Sequence, residues 1–439
     1  MARRHPSPLR RSLSLAYANG AIWGVGSGLA SVSLVAYFAR ELQASGTAIS
    51  WILAAPSLVG LSRLLTPLWL HRVASRRRFC VGMFLASAAV LAGLPIVAAP
   101  GRLATSTHSA GALGLCWTLA QTLEYIGVVA LWSWFGDLVP PAIRGRFVGR
   151  REAWLTAGLV AGGFAAALAT WAWQRHCQAI GQPELLWKSY AACASFGAAL
   201  AALATLPLAR MNDVALDRQA PPTAKPTWLG LVTPLVDRRF RRLMLFGICY
   251  SMANGLVQSP RQIFLASVLK LELAEKRSLD AASRGLQILL MPWLGNVIDR
   301  RSNVRLLVVS WAIVSLATVF FLLVTPGVKW WIVGAYVCWV AYAGLNVALP
   351  NLMLGLSPPQ ATAPYAAAWF AWTQLAYSLS ILAGGQLFDW VSENGRLLGL
   401  SVGETSPFRL LFIAGGMLMV AGIGLAARVP EPENNGGRR

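Results

Sequence analysis

Polar side chains recur at helical spacing inside otherwise apolar stretches of the chain. Trp117, Gln121 and Glu124 are separated by steps of four and three, which puts them on one helix face. Asn254, Gln258, Arg261 and Gln262 form a second such stripe, and Asn19, Trp23 and Ser27 a third. Trp339, Tyr342 and Asn346 make the fourth. The chemistry open to these faces is hydrogen bonding, charge pairing and proton transfer. Glu124, near the middle of an apolar run, suits three roles: a proton-coupling carboxylate, a static partner for an arginine such as Arg63, or a direct contact for a solute. Arg261 follows Ser259-Pro260, so a kinked helix would hold a guanidinium able to grip a carboxylate or phosphate bidentately. Its alternative is to snorkel to the interface. Trp23, Trp117, Trp369 and Trp372 can stack on a ligand or simply fill the core.

Other chemistries are poorly supplied. His5, His71, His108 and His176 all fall between apolar runs, so no histidine metal site within a membrane is expected. Five of the six cysteines lie in or at the runs; Cys177 alone is plainly in a loop, and no disulfide framework is readable. Nothing resembles the clustered acids, histidines or nucleophile of an enzyme. The expectation is a non-enzyme without cofactor or metal, with a polytopic sensor or enzyme as the weaker reading.

The elements that must position these residues are apolar runs of about twenty residues, the length an α-helix needs to cross hydrocarbon. They fall near 13–39, 47–70, 79–99, 110–135, 153–174, 188–209, 242–268, 282–299, 304–325, 329–353, 364–389 and 407–428. With 56% hydrophobic residues and a mean hydropathy of +0.54, little polar sequence is left for a soluble domain. The net charge of +21 would suggest nucleic acid in a soluble protein. Here the basic residues concentrate in alternate loops, including Arg3, Arg4, Arg10, Arg11, the run Arg76–Arg78, Arg144 to Arg151 and Arg238 to Arg242. By the positive-inside rule both termini are cytoplasmic, and the basic loops face anionic headgroups of the lipid bilayer; no nucleic-acid partner is needed. Arg10-Arg11-Ser12-Leu13 superficially resembles a twin-arginine export signal, but the long apolar segment after it reads as a first membrane helix. The preference for arginine over lysine suggests a bacterial inner (plasma) membrane.

The polar stretch 210–241, with Ala220-Pro221-Pro222, divides the runs into six and six. The expected organisation is therefore an N-terminal six-helix bundle (1–209), a cytoplasmic linker (210–241), a C-terminal six-helix bundle (242–429) and a cytoplasmic tail (430–439). Two internal matches support duplication: Pro140-Pro141, Phe147 and Trp154 against Pro358-Pro359, Tyr365 and Trp372, and Arg72 and Arg77 against Arg300 and Arg305. The third and sixth runs of each half are almost wholly apolar and suited to face lipid, whereas the first and fourth carry the polar stripes.

Gly295-Asn296-Val297-Ile298-Asp299-Arg300 with Arg305 resembles the G-x-x-x-D-R…R loop of the major facilitator superfamily. Asp137-Leu138-Val139-Pro140-Pro141-Ala142-Ile143-Arg144-Gly145-Arg146 resembles that family's acid-x-x-P-x-x-x-R-G loop. The resemblance runs over essentially the whole length. It implies twelve transmembrane helices in two pseudo-symmetric six-helix bundles, all-α and integral to the membrane. It also implies a cytoplasmic gate made by Asp137, Arg144, Arg146, Asp299, Arg300 and Arg305. The loop between the second and third runs departs from the pattern: the basic half survives as Arg72 and Arg76–Arg78, His71 stands near the expected aspartate, and the glycine is missing. An amino-half latch would then use Asp137. The arginine and Gly-Pro signatures of proton-driven drug exporters are also missing.

The resulting expectation is a secondary active transporter moving a small polar or anionic organic solute by alternating access, with protons as the possible coupling ion. Its midplane site would comprise Asn19, Trp23, Gln121, Gln258, Arg261 and Asn346, with Glu124 as the proton-coupling candidate. The glycines around Gly24–Gly28 and Gly384-Gly385 would allow close helix contacts, and a monomer can hold both halves. The alternative is an exporter of amphipathic drugs or lipids.

Overall fold

The breaks in the helices are as informative as the helices. The computed structural model describes residues 8–42, 44, 46–70, 72–73, 75–97, 99, 106–213, 228–271, 273–358, 361–394 and 406–432. Arg3, Arg4, His5, His71, Pro359, residues 214–227 of the expected linker and the end of the expected tail lie outside the described residues. The first expected span is divided into α1 (Pro8–Leu29) and α2 (Val32–Glu41), and the second into α3 (Gly46–Val59), a 3-10 segment (Gly60–Leu65) and α4 (Thr66–Leu70). Next come α5 (Arg76–Val97), α6 (Ser106–Leu138) and α7 (Arg144–Ala179), then α8 (Trp187–Leu203) with α9 (Thr205–Ala209). A further helix, α10 (Trp228–Val236), precedes α11 (Arg238–Leu256), α12 (Gln258–Ile263) and a π-helical turn at Phe264–Val268. The remainder is α13 (Leu273–Arg300), α14 (Asn303–Leu323), α15 (Trp331–Trp339) with α16 (Tyr342–Leu356), α17 (Thr362–Asn394) and α18 (Ser406–Ala427).

Helical elements thus cover all twelve expected spans. Among the described residues, eight segments are long and apolar enough by length and composition alone to cross a membrane. Two boundaries differ from the sequence reading. Asp237 caps α11 by accepting the N–H groups of Arg239 and Phe240 at 2.8 and 3.3 Å, so this helix starts at Arg238 rather than near 242. Arg144 to Arg151, read as a basic loop, form the first two turns of α7.

The exposed apolar side chains follow the lipid-facing pattern. Leu85 and Ile96 on α5, Phe196 on α8, Val309 and Leu316 on α14, and Met417 and Val420 on α18 all stand outward. Such a surface is costly in water and neutral in hydrocarbon.

The packing resolves into two compact units, Met1–Val139 with Arg150–Trp228 and Thr362–Ala367, and Pro140–Gly149 with Leu229–Ala361 and Ala368–Arg439. Each unit closes with the same device. In the first, the Ser75 hydroxyl accepts the N–H of Arg78 at 3.1 Å and donates to Asp213, the acid that follows α9, at 2.5 Å. In the second, the Ser302 hydroxyl accepts the N–H of Arg305 at 3.1 Å and donates to Glu431, which follows α18, at 2.6 Å. Glu431 also accepts the Asn303 and Val304 N–H groups at 2.7 and 3.1 Å, capping the orphan donors of α14. These two serines align Arg78 with Arg305, one residue away from the Arg77 match read in the sequence.

Candidate functional site

The first unit contains a cavity of about 360 Å³. Its polar lining comes from three helices and from Ser31, between α1 and α2. Helix α1 contributes Trp23 and Ser27, α5 contributes Ser87, and α6 contributes Trp117, Gln121 and Glu124. The stripes read at helical spacing on α1 and α6 therefore meet in one space. The chain permits this in two ways. At Ser31 the backbone turns extended (φ −75°, ψ 159°) and its hydroxyl caps α2 through the Leu34 N–H at 3.4 Å, so the break between α1 and α2 falls within the cavity wall. Behind it, Gly26 and Gly197 let α1 and α8 touch backbone to backbone: a Cβ on Gly197 would lie 2.8 Å from both the Gly26 carbonyl and the Ala30 methyl.

Within the cavity, Glu124 accepts a 3.4 Å hydrogen bond from the Gln121 amide. The Ser87 hydroxyl is committed to the Ala120 carbonyl at 2.8 Å. The Trp117 indole, 3% exposed, has no acceptor for its N–H among the described residues. Arg63, only 7% exposed, lies with its guanidinium 3.8 Å from the Tyr125 ring centroid. Its guanidinium thus makes a cation–π contact one residue further along α6 and also acts electrostatically on Glu124. Asn19 stands outside this lining: it is 4% exposed, and its amide donates to the Ala204 carbonyl at 2.9 Å, tying α1 to the end of α8.

The second unit carries its own polar group. Pro260 cannot donate to the Leu256 carbonyl, and the helix breaks at Val257 between α11 and α12, with the π-helical turn after it. Gly384 of α17 packs against that same Leu256 carbonyl. Past the break, Arg261 donates to the Gln258 side chain and stacks 4.7 Å from the Trp339 ring centroid. These two contacts hold it within the unit. Tyr342 donates to Asn254 at 2.5 Å, and Asn254 donates in turn to the Tyr250 carbonyl at 2.8 Å. Asn346 is half-buried on α16.

The expected gate residues are distributed unevenly. Asp299, 7% exposed at the end of α13, accepts the N–H of Gly145 at 2.8 Å and that of Arg146 at 3.0 Å, and the Arg146 Nε at 3.0 Å. Asp137 at the end of α6 pairs with Arg76 at the start of α5, which also donates to the Ser133 carbonyl at 3.3 Å. Arg144 opens α7. Arg300 and Arg305 are exposed and form no ion pair with a described residue.

Two features escaped the sequence reading. The acid caps Asp213 and Glu431 left only a faint signal, a carboxylate shortly after the last helix of each half. Arg151, taken for a loop cation, is buried 5.2 Å from the Trp132 and Phe135 ring centroids and pairs with Glu152 at 2.8 Å.

Two α-helical units, each with polar faces turned inward and apolar faces outward, define a polytopic membrane protein. The chain has the major facilitator superfamily fold. It is similar to the transporter FucP in an outward conformation (11% identity, TM-score 0.74, covering 95% of this chain and 98% of that one). It is likewise similar to the human organic anion transporter MFSD10 (14% identity, TM-score 0.65, 96% and 100%). A third similar structure is the proton:xylose symporter XylE (13% identity, TM-score 0.66, 97% and 96%). No protein-family profile matches the sequence, and no curated protein matches it.

Proposed function

We propose that the chain is a secondary active transporter that moves a small polar organic solute across a membrane by alternating access. The observation that carries this reading is the cavity of the first unit, where Trp23, Ser27, Trp117, Gln121 and Glu124 face one space inside an otherwise apolar bundle. A polar space within a bundle whose outer face suits lipid costs free energy unless it serves a ligand or ion. In the similar structures, fucose:proton and proton:xylose symport support the same reading for this fold.

Glu124 is the proton-coupling group of this proposal. Its carboxylate has one weak hydrogen-bond donor, the Gln121 amide, and the charge of Arg63 nearby, and a proton or a solute can replace that arginine as its balance during a cycle. Trp23 and Gln121 contact the solute from the first unit, and Gln258, Arg261 and Asn346 serve the path in the second. Asn19 supports α1 from behind. The joint between Asp299 and the first turn of α7, and the Arg76–Asp137 pair, act as the cytoplasmic gate; both are charge-assisted and breakable within a transport cycle. The protein works as a monomer in a bacterial inner membrane with both termini cytoplasmic.

The test is uptake into proteoliposomes under an imposed proton gradient. Solute accumulation by the wild type that collapses with a protonophore supports the proposal. A protein that moves no solute of any class, with or without a gradient, refutes it.

A further inference from the structure

The free polar atoms of the first unit's cavity differ from those expected of a site for either an anion or a simple cation. The Trp23 indole N–H and the Ser27 hydroxyl line the cavity without a partner among the described residues. The Gln121 amide oxygen is free to accept while its nitrogen reaches Glu124. Donors and acceptors are thus interleaved, on a helical spacing, between two indole rings.

We infer that this cavity selects a neutral polyhydroxylated solute, a sugar or polyol, over organic anions and cations. The inference rests on the transporter reading above and names its substrate class. A hydroxyl both donates and accepts, so a polyol can satisfy the Trp23 N–H, the Ser27 hydroxyl, the Gln121 carbonyl and the Glu124 carboxylate together. An indole face packs against the C–H face of a sugar ring. An anion would meet the only charged side chain in the lining, the Glu124 carboxylate. A quaternary ammonium would balance Glu124 but leave the Trp23 and Ser27 donors desolvated and unpaired. The volume of about 360 Å³ holds one ring or a short chain rather than a bulky amphipath.

The experiment is calorimetric titration of detergent-purified full-length protein with D-glucose, D-xylose, L-fucose and D-mannitol, and separately with choline and citrate. The same titrations are run on Ser27→Ala, Trp23→Phe and Gln121→Ala. Binding of at least one polyol is expected, weakened about tenfold by each substitution that removes one hydrogen-bonding atom. Because the Ser27 hydroxyl has no partner among the described residues, Ser27→Ala should keep the melting temperature of the wild type, so its lost affinity reports on the ligand alone. Polyol binding indifferent to all three substitutions overturns the site. Binding of choline or citrate with no polyol bound overturns the substrate class while leaving a transporter in place. Absence of polyol binding across the series also overturns the inference, and the vesicle assay with solutes of every class then decides the transporter reading separately.

Discussion

Asp299 accepts the backbone N–H of Gly145 at 2.8 Å, so the last turn of α13 holds the first turn of α7. The carboxylate occupies the place where a helix start presents unpaired N–H groups and the positive end of its dipole. No side chain fits between them: a Cβ on Gly145 would lie 2.7 Å from the carboxylate and 2.8 Å from the Gly295 carbonyl. Asp299→Ala removes both amide bonds and the Arg146 contact, and should cost about 2–3 kcal/mol. Arg146→Ala leaves the amide bonds in place and removes only a half-exposed partner, for a loss below about 1 kcal/mol. Thermal unfolding of the two variants in detergent orders them, and a larger loss for Arg146→Ala would show that charge, not helix capping, holds the joint.

Glu431 should matter more to stability than its exposed neighbourhood suggests. It receives the Ser302 hydroxyl, the Asn303 amide and two backbone N–H groups, so Glu431→Ala is expected to cost about 2 kcal/mol. Ser302→Ala should cost about 1 kcal/mol, and the double variant less than the sum, because both sites serve the same helix start. Strict additivity in the melting temperatures would separate the two contacts.

Glu124→Gln keeps the size and hydrogen-bonding reach of the side chain but fixes it as neutral. If Glu124 carries the coupling proton, this variant should still exchange solute across a vesicle membrane while failing to accumulate it against a gradient. Accumulation at the wild-type level would move proton coupling elsewhere, with Glu152 beside Arg151 the next residue to substitute.

Gly197→Ala tests whether the cavity depends on the tight approach of α1 and α8. The added methyl would press on the Gly26 carbonyl and the Ala30 methyl, and overpacking of this kind costs about 1–3 kcal/mol. Uptake should fall with it, since both glycines line the cavity. Unchanged uptake in a variant that still folds would mean that α1 and α8 part easily here.

The spans and stripes were legible in the sequence because hydrophobic length and a three-to-four spacing are local properties. Trp23, Ser27, Trp117, Gln121 and Glu124 could be placed on their faces from spacing alone, and those faces do share a cavity. What a polar residue does on its face was not legible. Asn19 continues the α1 stripe by spacing yet spends its amide on the Ala204 carbonyl, 185 residues away. Arg63 likewise stacks on the Tyr125 ring as well as acting on the Glu124 carboxylate. Such choices depend on which helix arrives opposite, and no local pattern encodes that. Arg144 to Arg151 were misplaced for a simpler reason: a basic run looks like a loop until a proline-initiated turn at Pro141–Ile143 starts the helix beneath it.

The acid caps also set an order of events during synthesis. The Asp213–Ser75 contact spans 138 residues and the Glu431–Asn303 contact 128, so each ties the start of a unit's third span to the residue that follows its sixth. Neither can form until that sixth span has been translated, and the entropy of closing such a loop rises only slowly with its length. Each bundle therefore carries its own completion signal, drawn tight by its own acid. A ribosome passing the Asp213 codon has supplied every residue of the first closure before any of the second bundle exists.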